Sequence, residues 1–281
     1  MAAFKAAVKV GAHAIETDIH LSKDGTVVLS HDKDLKRCYG IKEKIIDHDW
    51  DYLSKLKTTR EPAQPMPRLK DLLEYLASPG LEDIWILLDI KLDNNADDVM
   101  RLIAETIASV PCSSSKPWSK RVLLGIWSAK YLSLCEEHLP SFPITYIGLS
   151  TLYASRFFSV PNVCFNMLLH SLIGPFGSCF RRKAKKEQRK VLAWTVNTER
   201  QMRWCIRREL DGVISDDPKK FLEMCKEAEL EQSGLRVGKR ERWGVAEGLE
   251  FLRVWIFAMM FAVMFCLLHW QPIDRRFRAK A

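Results

Sequence analysis

The sequence predicts an α/β fold, a TIM-type (β/α)₈ barrel, from three observations. Short apolar or β-branched runs recur along the chain, and each is followed by a stretch with helical character. Continuous apolar runs are typical of parallel strands that are covered on both faces. Polar residues cluster where the runs end, which is the end of a barrel that carries the active site. A doubly wound sheet is the alternative, but no glycine-rich phosphate loop follows any run.

The strands and helices of this fold are predicted in alternation. The predicted strands span residues 14–19, 85–91, 121–128, 144–150, 163–169, 191–197 and 212–217. The predicted helices span residues 69–77, 96–110, 129–138, 198–209 and 218–229. Thr198 follows Asn197 and Pro218 follows Asp217, which is favourable helix-start chemistry. These elements place one barrel domain at residues 1–230.

The chain beyond residue 230 differs in kind. Residues 231–247 are rich in charge and contain three glycines, which predicts a linker. Residues 248–271 include the uncharged apolar run VWIFAMMFAVMFCLL, which predicts a transmembrane or membrane-anchoring helix. A span needs about 20 residues, so a buried or interfacial helix is the alternative. Residues 272–281 are predicted to be a basic tail.

The composition favours an anionic partner inside the cell. The chain has 43 Lys and Arg against 35 Asp and Glu, which leaves a net charge of +8. The basic run RRKAKKEQRK (181–190) lacks interleaved aromatic residues, so we expect a solvated helix face and no nucleic-acid partner. The eight cysteines show no zinc or redox spacing, which indicates reduced thiols in a cytosol-facing domain.

Two acidic residues in the first predicted strand are candidate metal ligands. Glu16 and Asp18 are two positions apart, so their side chains share one face of the strand. Two carboxylates that converge in this way suit a hard divalent cation. Acidic residues that end a strand are more often solvated, so the pair alone leaves both interpretations open.

A histidine is predicted to lie close to this pair. Asp24-Gly25 predicts a turn, the extended segment 26–29 follows it, and His31 stands at the end of that segment. Histidine gives or takes a proton near neutral pH, as phosphodiester cleavage requires. Four other histidines have no such setting and are expected to be surface residues: His13, His20, His48 and His138.

Four motifs in this order resemble the glycerophosphodiester phosphodiesterase family: IETDIHLSKDGTVVLSHD, WILLDIK, LAWTVN and DGVISDDP. Their details are similar to the fungal phosphatidylglycerol phospholipase C subgroup, and the resemblance covers nearly all of residues 1–229. It implies a (β/α)₈ barrel, a divalent cation (Mg²⁺ or Ca²⁺), and two histidines that act as general acid and base.

The resemblance also assigns roles to single residues. Glu16 and Asp18 match the first two metal ligands. Asp89 stands in a D-I-K pattern where most relatives have a glutamate ligand, and its shorter side chain leaves the choice of ion open.

Three further residues carry over by motif. His31 matches the second catalytic histidine, and Lys91 matches a lysine that holds the phosphate. Trp194 is expected to line the pocket near the glycerol. A surface lysine and a core tryptophan are the alternatives for the last two.

The start of the chain departs from the family pattern. The family's first strand ends in H-R-G and is followed by E-N-T, and neither motif occurs in this sequence. We therefore expect a barrel that lacks its first strand, and weak or no activity, because the loss of one general acid or base costs about 10² to 10⁴ in rate.

The leading functional hypothesis is a phosphoric diester hydrolase of lipid metabolism. It would cleave phosphatidylglycerol to diacylglycerol and glycerol phosphate by metal-assisted acid–base catalysis. One alternative is a glycerophosphodiesterase that acts on soluble deacylated lipids, and another is a catalytically dead phospholipid-binding membrane protein. The protein is expected to be membrane-associated, with its catalytic domain facing the cytosol. A tail that partitions into membranes would argue against the soluble-substrate alternative.

Overall fold

The structure, a computed structural model, describes residues 1–113, 115–233, 252–253, 255–256, 260, 263–264 and 272–277. The chain forms two compact units, Met1–Ile144 and Thr145–Ala281. The first unit contains seven helices and four strands among its described residues. Its helices are α1 (Ala2–Lys9), α2 (Lys36–Tyr39), α3 (Trp50–Leu53), α4 (Leu69–Leu76), α5 (Ala96–Ala108), α6 (Trp118–Arg121) and α7 (Tyr131–His138). Its strands are β1 (Ala14–Leu21), β2 (Val27–Leu29), β3 (Trp85–Ile90) and β4 (Val122–Ile126).

The strands of the first unit form a sheet in the order β2–β1–β3–β4. β1, β3 and β4 are parallel, and β2 pairs with β1 in the antiparallel sense. The register places Asp18 opposite Asp89 on the neighbouring strand. Two acidic side chains therefore stand level with each other at the carboxyl ends of adjacent strands.

The turn between β1 and β2 returns the chain alongside β1. Gly25 has a φ of +84°, a left-handed conformation that glycine adopts without steric cost, so the predicted Asp-Gly turn is confirmed. Ile19 then lies opposite Leu29, and the Ser30 amide donates to the Asp18 carbonyl oxygen at 3.1 Å. This ladder brings the chain after β2 close to the acidic end of β1.

The segment that follows β2 folds around an apolar cluster of its own. Five side chains form this cluster and are 0–2% exposed: Val28, Leu35, Ile45, Leu53 and Met66. The sequence analysis predicted no element between residues 30 and 68, because the helices α2 and α3 span only four residues each. Burial of apolar surface contributes about 25 cal/mol per Å², and this stabilises the segment although it has no long helix.

The second unit repeats the strand–helix alternation. Its strands are β5 (Ile144–Gly148), β6 (Cys164–Leu168), β7 (Val191–Trp194) and β8 (Gly212–Val213), and they are parallel neighbours in that order. Its helices are α8 (Thr151–Ala154), α9 (Leu169–Leu172), α10 (Gly174–Lys186), α11 (Glu199–Arg207) and α12 (Pro218–Gln232). Thr198 caps α11, where its side chain accepts from the Gln201 amide at 3.3 Å.

All seven predicted strands are present, which confirms the parallel α/β class. The predicted strands at 191–197 and 212–217 are shorter in the structure, since β7 ends at Trp194 and β8 at Val213. Residues 1–13, all of which the structure describes, contain α1 and no strand.

The predictions for the last part of the chain stay predictions. Residues 234–247 of the predicted linker and most of the hydrophobic segment at residues 248–271 lie outside the described residues, while α12 extends to Gln232. Within the part of the chain that the structure describes, we find no helix with the length and apolar character of a membrane span.

Candidate active site

Three carboxylates converge at the carboxyl ends of β1 and β3. Glu16 and Asp18 project from the same face of β1, and Asp89 projects from β3. One ligand oxygen from each lies within 4.8 Å of the other two. Three carboxylates at this separation repel one another unless positive charge is placed between them. Their oxygens are the ligands that Mg²⁺ and Ca²⁺ prefer, so the residues fit a divalent cation.

Lys91 supplies positive charge to this group. Its Nζ lies 2.5 Å from Asp18 Oδ1 and 2.7 Å from Asp89 Oδ2. Burial would lower the pKa of Lys91, but the charges of Asp89 and Asp18 and their hydrogen bonds raise it above its ordinary value. The ammonium therefore stays charged across the physiological range. The D-I-K spacing places it here, because Lys91 is two residues beyond Asp89.

Asp89 is the most enclosed of the three carboxylates. The residue is 6% exposed. Burial raises the pKa of Asp89, and the negative charge of Asp18 adds to the rise, while Lys91 and Trp127 oppose it. A buried carboxylate is stable as an anion only while such partners hold it. Lys91 and Asp89 therefore hold each other in position.

Trp127 belongs to the site, although the sequence analysis did not select it. Its Nε1–H donates to Asp89 Oδ1 at 2.6 Å, and its ring centroid lies 5.7 Å from Lys91 Nζ. Trp127 follows β4, the strand next to β3, so it stands at the same sheet edge as Asp89. Its position directly after a strand was the available signal, but a tryptophan there is more often part of the core.

The loop after β3 is fastened to the site by Asn94. Its Oδ1 accepts from the Leu21 amide at 3.0 Å, and its Nδ2 donates to the Ile19 carbonyl at 3.0 Å and to the Lys91 carbonyl at 3.3 Å. The Tyr131 hydroxyl also donates to the Lys91 carbonyl, at 3.4 Å. These bonds hold the end of β1 and the backbone of Lys91 in one arrangement.

His31 stands at the exposed edge of the site, with its side chain 72% exposed. Its Nδ1–H donates to Asp32 Oδ1 at 2.9 Å, and Arg37 Nε donates to Asp32 Oδ2 at 2.6 Å. The hydrogen bond from Arg37 is the main reason that the pKa of Asp32 is lowered. The negative charge of Asp18 contributes to the raised pKa of Arg37, so this guanidinium lies within electrostatic reach of the carboxylates. With Nδ1 engaged, Nε2 is the ring nitrogen that can face a substrate.

The remaining predicted site residue, Trp194, lies in the second unit at the end of β7. It is partly buried, and its Nε1–H donates to the Asn166 carbonyl at 3.1 Å. Its expected role beside the glycerol stays a prediction.

The polar ends of the last two strands also come together in the second unit. Asn197 Nδ2 donates to Asp216 Oδ2 at 2.6 Å, and Asn197 Oδ1 accepts from the Asp216 amide at 2.9 Å. The Ser215 hydroxyl lies 3.3 Å from the same Oδ1. The expected clustering of these residues is therefore present.

A second acidic group lies on the helices of the first unit. Asp97, Glu137 and His138 have ligand atoms within 4.8 Å of one another, and the two acids are exposed. His138 Nε2 lies 3.0 Å from Asp97 Oδ1. This ion-pair contact accounts for the position of the histidine without a metal.

Asp18 and Asp89 share Lys91 near the ends of neighbouring parallel strands, and the active site of a (β/α)₈ barrel lies at this end of the strands. The model of the glycerophosphoryl diester phosphodiesterase family matches residues 1–220. The chain therefore belongs to this family, and it is an enzyme of the phosphoric diester hydrolase class.

Individual relatives agree with this assignment. The chain is 23% identical over 232 residues to a glycerophosphodiester phosphodiesterase of Caldanaerobacter subterraneus. The matched region covers 80% of this chain and 90% of the relative. The crystal structure of a glycerophosphodiester phosphodiesterase from Thermotoga maritima superposes with a TM-score of 0.62 at 25% identity, over 79% of this chain and 89% of that one. A phosphodiesterase of Oleispira antarctica, solved with the product sn-glycerol-3-phosphate, gives a TM-score of 0.64 at 18% identity, over 79% and 88%.

Proposed function

We propose that this protein hydrolyses glycerophosphodiesters by metal-assisted acid–base catalysis, and that its lipid substrate is phosphatidylglycerol. The convergence of Glu16, Asp18 and Asp89 around Lys91 carries the proposal. Such a site suits a substrate with an anionic phosphate, which would contact both the lysine and a bound cation. The product seen in the Oleispira antarctica relative, sn-glycerol-3-phosphate, is of the class that this reaction releases.

The substrate phosphate would be held mainly by Lys91. Its ammonium is kept charged by two carboxylates and is 21% exposed, so one of its donors can turn to an incoming phosphoryl oxygen. A divalent cation held by Glu16, Asp18 and Asp89 would polarise the phosphoryl oxygens as a Lewis acid. Trp127 fixes the orientation of Asp89 through its Nε1–H.

The reaction moves two protons. A water oxygen bonds to phosphorus and loses a proton, while the phosphorus–oxygen bond to the alcohol breaks and the alcohol oxygen gains one. His31 would take the first proton or give the second at Nε2, with Nδ1–H held by Asp32, and the other proton would be exchanged with solvent water. The Arg37 contact with Asp32 keeps that carboxylate ionised and so fixes the ring.

The lipid substrate and the membrane location come from the sequence. The phosphatidylglycerol phospholipase C subgroup has the D-I-K pattern seen at Asp89, and the apolar segment 248–271 would anchor the protein in a membrane with the enzyme domain facing the cytosol. The net charge of +8 also favours an anionic lipid surface.

The test compares a lipid and a soluble substrate. Purified protein with Mg²⁺ or Ca²⁺ is given phosphatidylglycerol in mixed micelles or glycerophosphoglycerol, and released glycerol phosphate is measured. We expect slow release from both, because the sequence lacks the family's H-R-G motif and the histidine in it, and a further loss of about 10² or more in rate for Glu16→Gln. Asp51→Asn, an exposed carboxylate paired with Lys55, is the matched control and keeps the wild-type rate.

Three other outcomes separate the alternatives. Release from the soluble diester alone would replace the lipid proposal with a soluble glycerophosphodiesterase. Binding to phosphatidylglycerol vesicles without release from either substrate would indicate a binding protein and contradict the proposed hydrolysis. Equal rates for Glu16→Gln and Asp51→Asn would show that the carboxylate group does not take part.

A further inference from the structure

A small cavity lies at the carboxyl ends of β1 and β3, one side-chain position beyond the carboxylates. Its volume is about 130 Å³, and its polar lining consists of His20, Lys33, Lys44, Asp93 and Asn94. His20 is two residues beyond Asp18 on the same strand, a rise of about 7 Å along one face. The volume exceeds the ~10–15 Å³ that one water molecule needs, so a larger polar group can enter.

His20 is buried in this cavity and not at the surface, where the sequence analysis had expected it. The residue is 4% exposed, and its Nδ1 lies 3.4 Å from Asp93 Oδ2. Its Nε2 has no hydrogen-bond partner among the residues that the structure describes. A buried polar nitrogen without a partner is costly, which indicates that a ligand group completes its bonding. The local sequence could not reveal this, because Asp93 is distant in the chain.

Two lysines give the cavity an excess of positive charge. Lys33 and Lys44 line it as exposed residues, and neither is paired with an acidic group in the described part of the chain. Burial would raise the pKa of Asp93, but the hydrogen bond from His20 and the charges of His20 and Lys33 lower it, so Asp93 stays ionised. The lining residues therefore comprise two lysines and one carboxylate, and this balance favours an anion.

We propose that this cavity is a second subsite that binds the head-group glycerol of the substrate, which stays attached to the phosphate, and that it favours diesters in which this glycerol carries a further acidic group. The lysines would bind the acidic group, and a hydroxyl would form the missing hydrogen bond with His20 Nε2. The phosphorus atom would meanwhile lie at Lys91, and the three-carbon glycerol would have to cover the rise of about 7 Å from Asp18 to His20. The inference rests on the proposed function, since it names the substrate class of the same site.

The test uses two matched diesters, the deacylated forms of phosphatidylglycerol and of phosphatidylglycerol phosphate. They differ by one terminal phosphate, so the ratio of their kcat/KM values isolates the second subsite. We expect the wild type to prefer the phosphorylated diester. The double variant Lys33→Ala/Lys44→Ala should reduce that ratio by about 10-fold or more, which is the effect of losing hydrogen bonds to a charged group.

The control variant is Lys36→Ala/Lys42→Ala, which removes the same charge from exposed lysines outside the cavity. It should leave the ratio unchanged. A ratio that is equal in the wild type and the Lys33→Ala/Lys44→Ala variant overturns the second subsite but leaves the proposed hydrolysis standing, provided that both diesters are cleaved.

A binding measurement keeps the two proposals separate. Calorimetric titration of each diester is performed with a chelator present, so that turnover does not interfere. If the wild type cleaves neither diester, the proposed function fails, and the subsite is judged by binding alone. It is supported if the Lys33→Ala/Lys44→Ala variant binds the phosphorylated diester about 10-fold more weakly, and contradicted if the affinity is unchanged.

Discussion

Asp89 joins every part of the candidate site at the scale of single residues. It shares Lys91 with Asp18, accepts a hydrogen bond from Trp127, and is nearly inaccessible to water. An aspartate has a shorter side chain than a glutamate. The direct bond from Trp127 shows what holds the shorter side chain in place.

The first prediction concerns that bond. Trp127→Phe keeps an aromatic ring after β4 but removes the Nε1–H donor, 2.6 Å from Asp89. Hydrogen bonds to charged groups contribute about 1.5–3 kcal/mol, so we expect kcat/KM to fall by about 10-fold or more. Steady-state kinetics on glycerophosphoglycerol measure it. Trp118→Phe, which loses a bond to the Val110 carbonyl away from the site, is the control, and an equal loss in both variants would contradict the role of Trp127.

Local pattern predicts part of the candidate site, and two of its residues could not be predicted. Strand alternation places Glu16 and Asp18 on one face, while Asp89 and Lys91 were assigned through the resemblance to the family. Trp127 was missed because a tryptophan after a strand is usually core. His20 was placed wrongly because its burial depends on Asp93, and the two meet only when β1 and β3 pair.

The seven parallel strands were predictable at the scale of elements, since apolar runs and polar strand ends alternate regularly with helices. The segment between β2 and α4 was not. Its helices α2 and α3 are too short to show a helical period, and its apolar cluster joins residues as far apart as Val28 and Met66. Folding of this segment is decided by contacts between distant residues, which no local window contains.

Helix α4, which follows this segment, begins with a cap formed by Arg68 and Asp71. Asp71 accepts from the Arg68 amide at 2.9 Å and from the Arg68 guanidinium at 2.7 Å, which satisfies donors at the start of the helix. The apolar face of the helix is fully buried through Leu69, Leu72, Leu73 and Leu76. The cap therefore fixes the entry of a helix that is part of the core.

The second prediction tests this cap through pH. Burial would raise the pKa of Asp71, but the bonds from Arg68 lower it below 3.8. The ionised carboxylate therefore contributes stability above about pH 4, and this contribution is lost as the pH falls through the lowered pKa. We expect Asp71→Asn to cost about 1–2 kcal/mol of unfolding free energy at pH 7. The difference from wild type should shrink below pH 3.8.

Urea unfolding between pH 7 and pH 3 measures this difference. Glu74→Gln, on the exposed face of the same helix and 3.9 Å from Lys70, serves as the control and should change stability by less than about 0.5 kcal/mol. A cost for Asp71→Asn that stays constant through the acid range would show that the ionised cap is not its source.

The site at the scale of the whole molecule is a concentration of negative charge in a chain of net charge +8. Three carboxylates with one lysine leave a local excess of negative charge, and a bound divalent cation would neutralise it. Binding to the folded state alone stabilises that state by mass action.

The third prediction follows from this linkage. At a cation concentration about 100 times the dissociation constant, the folded state gains about 2.7 kcal/mol, which corresponds to a rise in melting temperature of about 5 °C. Mg²⁺ or Ca²⁺ should produce this rise in the wild type and not in Glu16→Gln/Asp18→Asn. Thermal denaturation measures it. An equal rise in the double variant would place the cation elsewhere.

The central claim is that the carboxylate group and Lys91 form a working phosphodiesterase site, and hydrolysis of glycerophosphoglycerol followed by ³¹P NMR tests it most directly. With Mg²⁺ or Ca²⁺ we expect the diester signal of the wild-type reaction to be replaced by that of glycerol phosphate, and a chelator to stop the change. Asp89→Asn should slow it by about 10² or more, because the side chain keeps its shape but loses its charge. A wild-type rate in Asp89→Asn, or in the presence of chelator, would contradict the claim.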